Sequence, residues 1–145
     1  MSGPPADAIR ARVTRVVDGD TVVLDTITVG RIDHSTFGRY ARLIGINTPE
    51  IFGRTECFGR IAADFTRRTL NGRTVLIDFD LDETDRYGRA LVYIWLPDGT
   101  FFNAELAAEG YAVQETVPPN VRYAGLFSRL VAQARERNLG LWRSC

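Results

Sequence analysis

The sequence predicts an α+β fold, mainly β, in which five strands form a small barrel carrying three α-helices. Three observations point there. Five β-rich stretches fall into two blocks separated by a helical stretch, and two further helical stretches follow, an order that suits a barrel with helices packed on it. Strong turn chemistry (Asp-Gly, Asn-Gly and Pro-Asp-Gly) punctuates the stretches. The 145-residue length is that of one domain, large enough to bury about two-thirds of its unfolded surface without staples.

Taken in order, residues 12–17 and 21–28 are β-branched runs separated by Asp18-Gly19-Asp20, which reads as strand, tight turn, strand. Residues 30–38 are polar and turn-like, and 40–46 resume strand character. Thr48-Pro49-Glu50 has the look of a helix start, with Thr as N-cap and Pro in the first turn, but Gly53 interrupts and the segment reads as a loop. Ile61, Ala62, Phe65 and Leu70 recur at helical spacing until Asn71-Gly72 stops the helix. Residues 74–79 form a strand, Asp80, Asp82, Glu83 and Asp85 an acidic turn, and 89–96 a strand ended by Pro97-Asp98-Gly99. Residues 103–109 read as a short helix closed by Gly110. Residues 123–138 read as a longer one, with Leu126, Leu130, Val131 and Ala134 on one face and Gly140 as its stop. Residues 1–10 are expected to be a flexible lead-in to a single domain spanning 11–145.

Composition removes several chemistries. All eighteen basic residues are Arg, with one His (His34), two Cys and one Met. Without Lys there is no Schiff-base amine, no pyridoxal-phosphate anchor and no Walker A loop. A lone His excludes sites built from two or more, and His34, in a polar connection, is expected to be exposed. What remains is a chemistry of Arg, carboxylates, hydroxyls and backbone, and the planar fork of Arg fits phosphate or carboxylate. A GC-rich genome also replaces Lys by Arg, so composition leaves both explanations open. Eighteen acids balance the eighteen bases, so any anion site must be local. No apolar run approaches the ~18 residues of a membrane span, and the first residues lack the apolar region of a signal peptide. Cys57 and Cys145 lack CxxC spacing; from the residues alone, a bridge and two free thiols both stand.

Each polar motif has an ordinary reading by itself. Asp18-Gly19-Asp20-Thr21 is a hairpin turn, Asn47-Thr48-Pro49-Glu50 a helix start, Asp85-Arg86-Tyr87-Gly88-Arg89 a polar turn, and Arg42 an edge residue. Their combination and order are far more specific. Val-Asp-Gly-Asp-Thr (17–21), Arg-Leu-Ile-Gly-Ile-Asn-Thr-Pro-Glu (42–50) and Asp-Arg-Tyr-Gly-Arg (85–89) resemble the signature segments of the staphylococcal nuclease (thermonuclease) family. Cys57-Phe58-Gly59, Asp98-Gly99 followed by Asn103, Glu109-Gly110-Tyr111-Ala112 and Gly140-Leu141-Trp142 extend the resemblance over residues 11 to 142.

The resemblance implies a five-stranded OB-fold barrel with three helices, and a Ca²⁺-dependent nuclease acting on DNA and RNA and leaving 3′-phosphate ends. It implies that Asp20 and the Thr48 carbonyl ligate one Ca²⁺, with Asn47 at the second carboxylate's place and Asp18 as an outer carboxylate. Glu50 would hold or deprotonate the attacking water, Arg42 and Arg89 would clamp the phosphate, and Arg86 and Tyr87 would contact the substrate's terminal phosphate and sugar. Hard oxygen donors suit Ca²⁺, and fixed guanidiniums suit the charge that builds on a phosphodiester under attack. The resemblance also implies a disulfide between Cys57 and Cys145 and hence an exported, oxidised location, with no membrane association and a monomeric state.

Three departures stand out. Asn47 replaces the family's Asp, which lowers the ligand charge and should weaken Ca²⁺ binding. Glu115 and Val117 stand where the type member has tyrosines near the substrate base. The segment between Asp20 and Arg42 is longer and the loop after Glu50 shorter. Asn47, the absent tyrosines and the zero net charge sustain an alternative reading, a non-catalytic module that binds nucleic acid or protein.

Overall fold

The computed structural model describes residues 3–25, 28–29, 32–33 and 39–145, with 28–29 and 32–33 described by backbone alone; His34 lies outside the described residues. Strands β1 (Ile9–Asp18), β2 (Thr21–Leu24), β5 (Arg39–Leu43), β8 (Ala90–Trp95) and β7 (Thr74–Asp78) close into a barrel in that spatial order. All neighbours are antiparallel except β5 and β8, which run parallel with Ala41 opposite Ala90 and Leu43 opposite Val92. This is the five-stranded OB arrangement. Two short pairs lie outside the barrel, β3 (Thr28–Val29) with β4 (Ile32–Asp33) and β6 (Gly45–Asn47) with β9 (Val113–Glu115).

Strand boundaries have local causes. β1 reaches back to Ile9, opposite Ile77, so two residues read as lead-in are part of the barrel. The strand expected over 21–28 stops as β2 at Leu24. Asp25 accepts the Arg12 N–H on its carboxylate at 2.9 Å and donates its own N–H to the Arg12 carbonyl at 2.9 Å, ending the ladder with a side chain. The run expected over 40–46 divides into β5 and β6 at Gly45, which has φ 86°. A Cβ there would lie 2.2 Å from the Phe127 ring, so only glycine lets the chain turn against that ring. β6 then leaves the barrel and pairs with β9.

Helix α1 (Gly59–Leu70) buries Ala62, Ala63, Thr66 and Leu70, with Phe65 half-buried and Ile61 exposed, so Ile61 lies off the buried face. Helix α2 (Phe102–Ala108) follows a tight turn in which Leu96 donates its N–H to the Thr100 carbonyl at 2.8 Å. Helix α3 (Ala124–Glu136) is anchored by Phe127 and Ala134, while Leu126, Leu130 and Val131 are only partly buried against the core. A fourth, one-turn helix, α4 (Leu141–Ser144), follows the three expected ones. The core runs through the barrel and out to α2 and α3, where Tyr93, Trp95, Phe101, Tyr123 and Phe127 pack ring against ring. No helix among the described residues is long and apolar enough to cross a membrane.

Two polar devices hold the architecture. Asn103, fully buried, accepts the Ile94 N–H at 2.9 Å and donates to the Ile44 carbonyl at 2.9 Å, stitching α2 to β8 and to the β5–β6 corner. Cys57 and Cys145 are joined by a disulfide across 88 residues, tying the chain end to the loop that precedes α1. A bridge closing so long a loop restricts the unfolded chain strongly. We expect the Cys57→Ser, Cys145→Ser double variant to lose about 2–4 kcal/mol in chemical denaturation. Protein never exposed to reductant should show no titratable thiol once denatured; two thiols would contradict the bridge.

Candidate active site

The hairpin turn Asp18-Gly19-Asp20 is drawn onto the loop after β6. Gly19 permits this, because a Cβ at that position would lie 2.6 Å from the Thr48 hydroxyl oxygen. Thr66, on the buried face of α1, donates its hydroxyl to the Gly19 carbonyl at 2.7 Å and holds the turn from below. Asp20 is thereby buried, and a buried carboxylate must find partners. It accepts the Thr21 hydroxyl at 3.0 Å and the Thr48 N–H at 2.9 Å, and its Oδ2 lies 3.3 Å from Arg42 Nη2.

Arg42 lies on β5, opposite Thr21 of β2 and Leu91 of β8. Its Nη1 donates to the Leu43 and Ile46 carbonyls, each at 2.8 Å. Its Nη2 donates to Asn47 Oδ1 at 3.3 Å and to Glu115 Oε2 at 2.7 Å. One guanidinium thus gathers β5, β6, the Asp20 turn and the end of β9. The structure brings Asp20, Arg42, Asn47 and Thr48 into one hydrogen-bonded cluster. Asp18 lies beside it, its carboxylate accepting the Asp20 N–H at 3.2 Å. Burial, and then the facing Asp20 carboxylate, push Asp18 up to about 7, with the Arg42 charge opposing weakly.

Arg42 also lines a groove of about 500 Å³, which Asp85, Arg86, Tyr87 and Arg89 line as well. The turn that presents them is self-supporting. Asp85 accepts the N–H groups of Tyr87 and Arg89, both at 2.9 Å, and Arg89 Nε at 2.7 Å. That leaves both terminal nitrogens of Arg89 without a hydrogen bond among the described residues. Tyr87 is exposed, its ring flanked by Arg86 at 4.9 Å and Arg89 at 5.8 Å, and Arg86 also donates to the Tyr87 hydroxyl at 2.7 Å. Leu43, Leu91, Val117 and Asn120 also line the groove. Asn120 is tied to Asp82 in both directions, at 2.9 Å each.

Glu50 is placed differently. It is exposed on the loop after β6 and does not line the groove, and its carboxylate makes no hydrogen bond among the described residues. Its backbone is held instead, with the N–H donated to Glu56 Oε1 at 2.7 Å and the carbonyl accepting the Glu56 N–H at 2.8 Å. The neighbouring Cys57 carries the disulfide.

The donor chemistry around Asp20 is all oxygen: the Asp20 and Asp18 carboxylates, the Asn47 amide oxygen, and the Thr48 carbonyl and hydroxyl. The Thr48 hydroxyl is buried with no hydrogen-bond partner among the described residues. Among the described residues, no three Asp, Glu, His or Cys side chains converge to hold a metal ion. The set therefore fits a hard, oxygen-seeking cation in kind, with a low ligand charge.

A family model described as "Staphylococcal nuclease homologue" matches residues 40–144. The chain belongs to the staphylococcal nuclease family. Among its relatives, a thermonuclease of Staphylococcus intermedius is 35% identical over 133 residues, covering 90% of this chain and 74% of that protein. A thermonuclease of Staphylococcus hyicus is 34% identical over 134 residues, with 90% and 74% covered. An uncharacterized endonuclease of Escherichia coli is 32% identical over 139 residues, covering 92% and 77%.

Within this staphylococcal-nuclease domain, two residues of the site, Thr66 and Asn120, and one contact, that of Glu115 with Arg42, were not foreseen from the sequence. Thr66 was a polar position on an otherwise apolar helix face, which is a usable signal. Asn120 and the Arg42 contact of Glu115 left no local signal, since their partners are remote in the chain.

Burial pushes Asp85 up, but the Arg89 guanidinium and the two N–H groups outweigh it and hold the carboxyl below the usual range. A lowered folded pKa means the Asp85–Arg89 clamp adds stability above the ordinary carboxylate pKa and loses it as pH falls through the lowered value. Carbon-detected NMR titration of Asp85 should show ionisation persisting below pH 4, the ordinary range. Asp85→Asn should cost about 1 kcal/mol, since one charge-assisted hydrogen bond is weakened.

Proposed function

We propose that the protein is a nuclease, a Ca²⁺-dependent phosphodiester hydrolase that cleaves DNA and RNA with little sequence preference and leaves 3′-phosphate ends. The observation that carries this reading is the pair of guanidiniums, Arg42 and Arg89, lining one groove, each held by a carboxylate from its own surroundings. Family membership, and relatives named thermonuclease and endonuclease, support it.

A phosphodiester is anionic, and attack at phosphorus adds charge to its non-bridging oxygens. Arg42 and Arg89 would together stabilise that charge, with their orientation set before substrate arrives. Arg89 has its two terminal nitrogens without a hydrogen bond among the described residues, and Arg86 and Tyr87 in the same groove offer a cation and a ring to the next phosphate and sugar. Glu50, whose carboxylate is unengaged among the described residues, would accept the proton of the attacking water. Asp20, Asn47 and the Thr48 carbonyl would hold the cation. Bound there, Ca²⁺ would supply positive charge beside the phosphate. Asn47 in place of a carboxylate would make that binding weak. The disulfide suits an oxidising compartment outside the cytosol.

The low ligand charge also favours a second reading, a non-catalytic module binding nucleic acid or protein, which needs no Ca²⁺ and in which Glu50→Ala is silent. Digestion of plasmid DNA and of RNA across a Ca²⁺ series, against chelator, decides between them. For the enzyme we expect cleavage only with Ca²⁺, saturating at high concentration, and losses of about 10²-fold or more in Glu50→Ala, Arg89→Ala and Arg89→Lys. No Ca²⁺-dependent cleavage by micromolar wild-type protein would end the nuclease reading.

A further inference from the structure

Arg42 has five N–H donors, two on each terminal nitrogen and one on Nε. Nη1 is committed to the Leu43 and Ile46 carbonyls, both fixed in the β5–β6 backbone. A bidentate grip on phosphate uses two parallel N–H bonds on one edge of the guanidinium. With Nη1 committed, any such grip must recruit Nη2. The shortest contact of Nη2, at 2.7 Å, is to the carboxylate of Glu115, while Asn47 Oδ1 and Asp20 Oδ2 are both 3.3 Å away.

Glu115 is built to reach this point and to leave it. Its backbone is pinned at the end of β9, opposite Gly45 of β6. The Glu115 side chain is 49% exposed, against 14% for Arg42. A carboxylate with two oxygens resembles the face of a phosphate, and this one lines the same groove as Arg86, Tyr87 and Arg89.

Resting on the nuclease reading of this groove, we propose that Glu115 is a specificity-determining residue that occupies the phosphate seat on Arg42, so that a substrate must displace it. A lone phosphate must displace Glu115 with only Arg42 and Arg89 to hold it. A polynucleotide, whose next phosphate also meets Arg86, gains a contact that Glu115 cannot oppose. The carboxylate therefore screens the site in favour of polyanionic chains and against inorganic phosphate and mononucleotides.

The test is binding without turnover, in chelator, on the full chain. Two probes are used: inorganic phosphate followed by ¹⁵N shifts of the arginine side chains, and fluorescein-labelled dodecathymidylate followed by anisotropy. Glu115→Gln should tighten both by about three- to tenfold, as expected for removing one charged competitor from a partly buried Arg. The gain should be larger for inorganic phosphate. Glu136→Gln, which makes the same change in net charge on the exposed face of α3, should move neither by more than about twofold. In an Arg42→Gln background the gain from Glu115→Gln should vanish, with Arg42→Lys used if Arg42→Gln does not fold. Unchanged or weaker binding by Glu115→Gln, no detectable binding of either probe to it, or the same gain without Arg42 overturns the proposal. Because neither probe is cleaved, this outcome is read separately from the nuclease assay: an inactive protein that still shows the Arg42-dependent gain sinks the nuclease reading and leaves the Glu115 contact standing.

Discussion

The carboxylate of Asp20 cannot be buried alone, and much of the site follows from how the chain satisfies it. Water is excluded there, so its charge must be met by the Thr21 hydroxyl, the Thr48 N–H and the Arg42 guanidinium. Those three partners lie on β2, on the loop after β6, and on β5. Meeting one charge therefore fixes the relative positions of the hairpin turn, the barrel strand and the loop that leads to Glu50. Gly19 and Thr66 serve the same end, one by letting the turn approach Thr48 and the other by holding its carbonyl from α1.

Arg42 extends the constraint in the opposite direction. Its hydrogen bonds reach two backbone carbonyls, Asn47 and Glu115, so the arginine at the groove is also part of the framework that shapes the groove. Arg89 is held differently, among the described residues through Nε alone, by a carboxylate four residues away. The two guanidiniums therefore differ in what they have left to offer: Arg89 keeps its outer edge and Arg42 shares its own with Glu115. In a chain whose charges cancel, such local differences govern how an anion is received, because no long-range field does it for them.

Much of this was legible in the residues. Alternation and β-branching marked the barrel strands, and turn chemistry marked their ends to within a few positions, because both act over a handful of bonds. The motif order in 17–21, 42–50 and 85–89 pointed to the family and to the groups that cluster, since Asp85 and Arg89 meet within one turn. The places where the reading differed share a cause. Strand β2 ends at Asp25 because of a bond to Arg12, the 40–46 run divides because Phe127 fills the space beside Gly45, and α3 is anchored by Phe127 rather than by its more regular leucine face. The acidic turn also has remote partners: Asp80 accepts the Tyr93 hydroxyl at 2.6 Å, and Asp82 is clasped by Asn120.

The sequence by itself determined the α+β order, the five barrel strands and the residue types available for phosphate chemistry. Eighteen arginines and no lysine meant that any anion clamp would be a guanidinium. It did not determine which of those guanidiniums are free. That depends on contacts between residues far apart in the chain, such as Arg42 with Glu115, 73 positions on, and Asp20 with Thr48, 28 positions on. Local patterning is set by side-chain period and backbone geometry, which neighbouring residues share. Hydrogen-bond partners are set by what barrel closure brings within about 3 Å, and only the folded chain decides that.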